Sequence, residues 1–244
     1  MTMKYPLQLL AIWSILLLTP PMAVAQTIEF SMTGQPKSFV VESRSYVVEG
    51  YGAARLGMTV NEVKAVIAKD YPSALTTLKD EVDPLARTRG LAVVVPALVP
   101  VQSLGPATIS YIFGASTQRL ISINVVWLLD AKADKLQREK LVAGGTALAS
   151  DFVGWDWPIL TAAKGHVTGP GVLILFACKD AAGGGVEVRL DGVAFDVERK
   201  QGPQGTPAVK PQYRPAPAGP AQLRLSFVAN VDMPDIYRIP SGAF

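Results

Sequence analysis

The chain holds one cysteine and one histidine among 244 residues, and those two scarcities exclude much familiar chemistry. With Cys178 alone, no intramolecular disulfide can form, and no metal site can draw on more than one thiolate. With His166 alone, a histidine-rich metal site is excluded, and a Ser-His-Asp triad would have to use that residue. No Gly-x-Ser-x-Gly elbow is present, and Ser103, Ser110, Ser116 and Ser150 lack the strained turn that exposes a nucleophile. The run Gly183-Gly184-Gly185 lacks the Lys-Ser/Thr of a phosphate loop, and no Gly-x-Gly-x-x-Gly follows a strand. The reading therefore calls for no cofactor and no metal. Charge is sparse as well: 18% of residues are charged, the net charge is +3, and no basic run reaches five. Nucleic-acid binding needs a concentrated basic surface to release counterions, so no nucleic-acid partner is expected. Because 49% of the residues are hydrophobic, the chain has enough apolar material to fold.

What is present at the start is an address. Lys4 supplies a positive n-region, and an apolar run from Leu9 to Leu18 is broken only by Ser14. Pro20 and Pro21 end any helix, and Ala23-Val24-Ala25 gives the small-x-small pattern of a signal-peptidase site. A membrane span needs roughly 20 apolar residues, more than this run offers. Residues 1–25 therefore read as a signal peptide cut after Ala25, and no cysteine stands at the cut to take a lipid. The expected product is a periplasmic or secreted protein with no stable membrane anchor.

Patterning of 26–244 predicts a single α+β domain. Residues 27–32 and 38–49 read as strands around a turn at Gly34-Gln35-Pro36. In Leu56-Gly57-Met58-Thr59-Val60-Asn61-Glu62-Val63, Thr59 and Glu62 have capping-box spacing, and Met58 with Val63 fits a hydrophobic staple. Val60, Val63, Val66 and Ile67 share a helical face, which predicts a helix over 60–69 closed by Tyr71-Pro72. Residues 73–83 could form a short helix and 91–95 a short strand. Ala107–Phe113 and Arg119–Leu128 then form a hairpin about Gly114-Ala115-Ser116-Thr117, with Ile121, Ile123, Val125 and Trp127 on one face. A second helix is expected over about 131–152, capped by Asp130 or Asp134. Gly144-Gly145 lowers its propensity by about 1 kcal/mol per glycine, so two helices joined there is the alternative. Strands follow at 172–178, 186–197 and 222–228. Residues 202–220 carry six prolines and read as a long inter-strand loop. The whole reads as antiparallel sheet with packed helices, with 26–129 and 130–244 as candidate similar halves sharing one core.

Candidate chemistry is thin. Cys178 closes the apolar run from Val172 and reads as a small buried hydrophobe. His166 lies in Lys164–Pro170, which reads as a polar loop. Asp151 and Asp156 flank Gly154-Trp155, and paired carboxylates beside tryptophans can mark a glycan site. The competing reading places Asp151 in a last helical turn, with Trp155 and Trp157 packed on the sheet. Trp155, Trp157, Tyr213 and Arg214 are the candidate binding residues, the last two within the proline-rich loop, which could instead serve as a ligand for an aromatic-lined groove.

The segment Arg55–Val63, followed by the hairpin at 107–128, resembles the small-lipoprotein module of the outer-membrane β-barrel assembly machinery. It is also similar to the related fold of secreted β-lactamase-inhibitor proteins. In both, a Leu-Gly-Met-Thr/Ser motif opens a helix packed on an antiparallel sheet, and the resemblance spans residues 50–128. The present chain is longer and lacks the lipidated cysteine, and it also resembles exported proteins of Gram-negative bacteria. The resemblance implies action by protein–protein contact and brings no catalytic residues. The resulting expectation is a non-enzymatic protein that binds an envelope protein or small ligand through an exposed sheet face or the proline-rich loop. The rival is a glycan-active or other hydrolase using Asp151 and Asp156 beside Trp155, and a third reading is an accessory subunit of a larger complex.

Overall fold

The computed structural model describes residues 45–98, 101–158, 163–169, 171–193 and 219–238. The signal segment, the strands expected before residue 45, and Tyr213 and Arg214 lie outside the described residues. Chain order begins with a short antiparallel pair, β1 (Gly50–Tyr51) and β2 (Ala54–Arg55), followed by α1 (Val60–Asp70). The capping box forms as the spacing predicts: the Glu62 amide donates to Thr59 Oγ1 at 3.3 Å, and the Thr59 amide donates to Glu62 Oε2 at 2.7 Å. These bonds satisfy two amides that a helix start otherwise leaves unpaired. Val63 and Ile67 are fully buried, and Pro72 opens a 3₁₀ turn at Pro72–Thr77.

A meander follows: β3 (Lys79–Val82), β4 (Arg89–Val95), β5 (Ala107–Phe113) and β6 (Leu120–Leu129). After it come α2 (Lys135–Val153) and a second meander, β7 (Ala163–Gly169), β8 (Val172–Lys179), β9 (Gly185–Asp191) and β10 (Ala221–Val228). β3 to β10 join in one eight-stranded sheet, ordered β3-β4-β5-β6-β10-β9-β8-β7, and every pairing is antiparallel. The last strands of the two meanders, β6 and β10, thus meet at the centre over the register Ala221↔Leu129 to Val228↔Ser122. This is an α+β fold dominated by sheet.

Alternation assigns the two faces. Leu91, Val93, Ile109, Tyr111, Phe113, Ile123, Val125, Trp127, Phe176, Val188, Leu190, Leu223 and Leu225 are buried on one face, each worth roughly 1.5–3 kcal/mol when its side chain is an aliphatic or phenylalanine fully removed from water. Most of their neighbours in sequence point the other way and are half-buried or exposed, with Ser226 buried at 7%. Ile121 departs from the face expected of it and is half-buried.

α2 contacts β6, β8, β9 and β10 and runs unbroken through Gly144 and Gly145, so the two-helix alternative does not hold. Asp134 is its cap, its carboxylate accepting from the Gln137 amide at 2.8 Å. The glycines are there because the helix sits close to its neighbours. A Cβ on Gly144 would come within 2.7 Å of Leu104, and one on Gly145 within 2.8 Å of Leu175 and 3.0 Å of Leu223. Close packing outweighs helix propensity here.

Other expectations are corrected. Residues 79–82 are a strand, not part of a helix, because β4 offers a pairing edge and Asp80 is fixed by Arg89 at 2.7 Å and Lys64 at 2.8 Å. Tyr46–Glu49 is not strand, with only Ser45 bridging Asp156 before β1 begins. Lys164–Gly169 is an edge strand and not a loop. Residues 164–168 are exposed, Gly165 sits at φ 61°, and β7 shows no apolar alternation. Among the described residues, no helix is long and apolar enough to cross a membrane.

Candidate functional site

The face of the sheet opposite the core carries a polar ladder. At its centre the period-two alternation of β9 and β10 projects Glu187, Arg189 and Asp191 beside Gln222, Arg224 and Ser226. Arg224 and Arg189 are direct cross-strand partners, a like-charge juxtaposition that costs stability unless acids intervene. They do: Arg224 Nη2 donates to Glu187 Oε1 at 2.7 Å, and Arg189 Nε donates to Asp191 Oδ1 at 2.8 Å. Gln222 Nε2 adds a 2.7 Å bond to Asp191 Oδ2, and Ser226 Oγ donates to Asn124 Oδ1 at 2.7 Å. With side chains 17 to 32% exposed, solvent screening keeps the contribution of each pair to about 1 kcal/mol. Arg224 Nε is buried without an acceptor. Val94, 41% exposed, and Leu128, 66% exposed, add large apolar groups to the same face.

Towards one end the face deepens into a cavity of about 350 Å³, within the usual range for small-ligand sites. Asn124, Glu187, Arg224 and Ser226 line it, with Ala177, Lys179, Val228 and Val231 around them. Val231 belongs to a segment, 229–238, that leaves β10 and crosses the strand ends. Its Val231 amide donates to Gly183 O at 3.0 Å, Ala115 donates to Asp235 O at 2.9 Å, and Tyr237 donates to Ala86 O at 2.9 Å. The segment thereby ties the β8–β9, β5–β6 and β3–β4 turns together. Asp232 pairs with Lys179 at 2.7 Å. Asp235 Oδ1 accepts from the Ser116 amide and hydroxyl, and Oδ2 from those of Thr117, at 2.6 to 3.1 Å. The Ser116 and Thr117 bonds hold the Asp235 carboxyl well below the usual carboxylate range. Arg87 stacks on the Tyr237 ring at 3.8 Å.

Of the residues singled out from sequence, Trp155 and Trp157 meet at the Tyr46 ring. Trp157 is buried, its Nε1 donating to Phe152 O at 2.8 Å, and it packs on Tyr46 and Phe176. Trp155 is 40% exposed and meets Tyr46 edge-on at 5.4 Å. Asp151 is an exposed residue of α2, while the Asp156 backbone carbonyl accepts from the Tyr46 amide at 3.3 Å. The tryptophans thus divide, one into the core and one towards solvent, on either side of the Tyr46 ring. His166 is exposed on β7 and Cys178 is buried. Among the described residues, no three His, Cys, Asp or Glu side chains group to hold a metal. The ladder was missed in the sequence although its signal is there: polar residues at alternate positions in 187–191 and 222–226. Compared with family profiles, curated proteins and solved structures, the chain matches none of them.

Proposed function

We propose that this chain is an exported, non-enzymatic binding protein of the cell envelope, periplasmic or secreted after cleavage at Ala25, and that it works through the open face of its sheet. The observation that carries this reading is the asymmetry of the sheet. One face is filled by core side chains, and the other carries the Arg-Glu-Asp ladder, exposed Val94 and Leu128, and a cavity. A surface with large apolar groups around a hydrogen-bonded polar centre is suited to protein contact. The shared order of helix then four-strand meander supports two similar halves, 26–129 and 130–244, meeting at β6 and β10. In this arrangement both helices shield the same face: Lys64 of α1 reaches Asp80, whose backbone partner Leu91 points into the core. The resemblance to the assembly-machinery lipoprotein and the inhibitor fold agrees with action by contact.

A double variant, Val94→Glu with Leu128→Glu, tests the reading. It leaves the core untouched, so the expected outcome is an unchanged melting temperature with loss of proteins that co-purify with the wild type from the envelope. Retention of the same proteins at wild-type yield would overturn the reading.

A further inference from the structure

We propose that the cavity at the end of the open sheet face binds a small zwitterion, an ammonium and a carboxylate on a short aliphatic skeleton, as in an amino acid or a dipeptide. The proposal rests on the reading of that face as the binding surface and names a ligand for one part of it. Three observations converge. The volume of about 350 Å³ suits a ligand of this size and is more than a single water requires. Both signs of charge line the walls, Arg224 and Lys179 against Glu187, with Ala177, Val228 and Val231 supplying an apolar side. Finally, the Ser226–Asn124 bond engages the Asn124 carbonyl oxygen and leaves the amide nitrogen to donate to a ligand oxygen.

The alternatives fit less well on charge. A simple anion would meet Glu187, a simple cation would meet Arg224, and a hydrocarbon would strip water from the Arg224–Glu187 pair without replacing its hydrogen bonds. A zwitterion gives each sign a partner, its carboxylate towards Arg224 and Asn124 and its ammonium towards Glu187. Val231 closes the apolar side, held by its bond to Gly183 and by the adjacent Asp232–Lys179 pair.

Calorimetric titration of the mature chain with L-leucine, alanyl-leucine, N-acetyl-leucine and leucine methyl ester tests this. Saturable binding of leucine, alanyl-leucine or both is expected, and which of them binds separates a free amino acid from a peptide source. Blocking either end should weaken binding about tenfold or more, since each block removes a charge-assisted contact. Val231→Trp, which fills the cavity from an exposed position, should abolish binding. Glu187→Gln should weaken the zwitterion while leaving N-acetyl-leucine unchanged. No saturable heat from either zwitterion up to about 10 mM, equal binding of blocked and free forms, or full binding by a folded Val231→Trp would each overturn the proposal. Failure here leaves the Val94/Leu128 result intact, because those side chains do not line the cavity. Loss of both would remove the open face as a binding surface.

Discussion

Replacing Asp180 gives the sharpest test of how the fold is held, because the residue is 5% exposed and its carboxylate serves three backbone amides. Oδ1 accepts from Ala182 at 2.9 Å and from Gly184 at 2.8 Å, and Oδ2 accepts from Val48 at 2.8 Å. One side chain thus closes the β8–β9 turn and fastens the segment that leads into β1. A hydrogen bond to a charged group is worth about 1.5–3 kcal/mol, and a buried donor left unpaired costs about 1–3 kcal/mol. Three coupled bonds do not add in full, and Ala182 lies where water can replace part of its bond. Asp180→Ala should therefore cost about 3–4 kcal/mol, a sizeable part of the ~5–15 kcal/mol that stabilises a typical domain. Asp180→Asn keeps one carbonyl oxygen for Ala182 and Gly184 but turns an NH₂ towards the Val48 amide, so about 1–2 kcal/mol is expected. Urea unfolding followed by tryptophan fluorescence measures both costs, and amide exchange should show Val48 as the site that opens first in Asp180→Asn. A loss below about 1 kcal/mol for Asp180→Ala would refute the reasoning.

Gly145→Ala should fail to stabilise α2 despite a propensity gain of about 1 kcal/mol, because its Cβ meets Leu175 and Leu223, and overpacking costs about 1–3 kcal/mol. Gly154→Ala, with φ at −74° and open space around it, should stabilise by about 0.4–1 kcal/mol, and chemical denaturation of the pair checks the contrast. Arg138 donates to Gly192 O at 3.1 Å and Gly219 O at 2.6 Å, holding together the residues on either side of 194–218. Replacing 194–218 with a four-residue turn should leave the fold intact and raise stability by about 1–2 kcal/mol through loop-closure entropy, read from the urea midpoint. Asp235 titrates below its unfolded value, so its clamp contributes fully above about pH 4 and is lost as pH falls through the depressed value. Hydrogen exchange at Ser116 and Thr117 should accelerate on that descent, and Asp235→Asn should flatten the response. Burial pushes the Tyr51 phenol up to about 12, so the fold loses stability as pH rises from the ordinary tyrosine value of about 10 through 12; alkaline melts of Tyr51→Phe should show a smaller loss.

Local signals that a residue states about its neighbours were legible in the sequence. Thr59 with Glu62 specified a helix start, and the alternation in 120–127 specified a half-buried strand. What failed were features that depend on distant partners. Gly144 and Gly145 look like helix breakers until Leu104, Leu175 and Leu223 are seen against them. β7 carries no apolar code because an exposed edge strand is defined by the backbone of β8. The crossing segment at 229–238 is a set of bonds to three turns far away in sequence, so no window around Asp235 reports it. The polar ladder was readable from alternation in β9 and β10, but only the strand order shows that it lies at the centre of the sheet.

Site-specific photocrosslinking in the native envelope tests the central claim most directly. Photoreactive residues at Val94, Ser110 and Leu128 sample the open face, and residues at Lys69 and Lys140 sample exposed positions on α1 and α2. The account predicts one discrete adduct from the open-face positions and none from the helix positions. Equal adducts from both sets, or adducts from the helix positions alone, would contradict it.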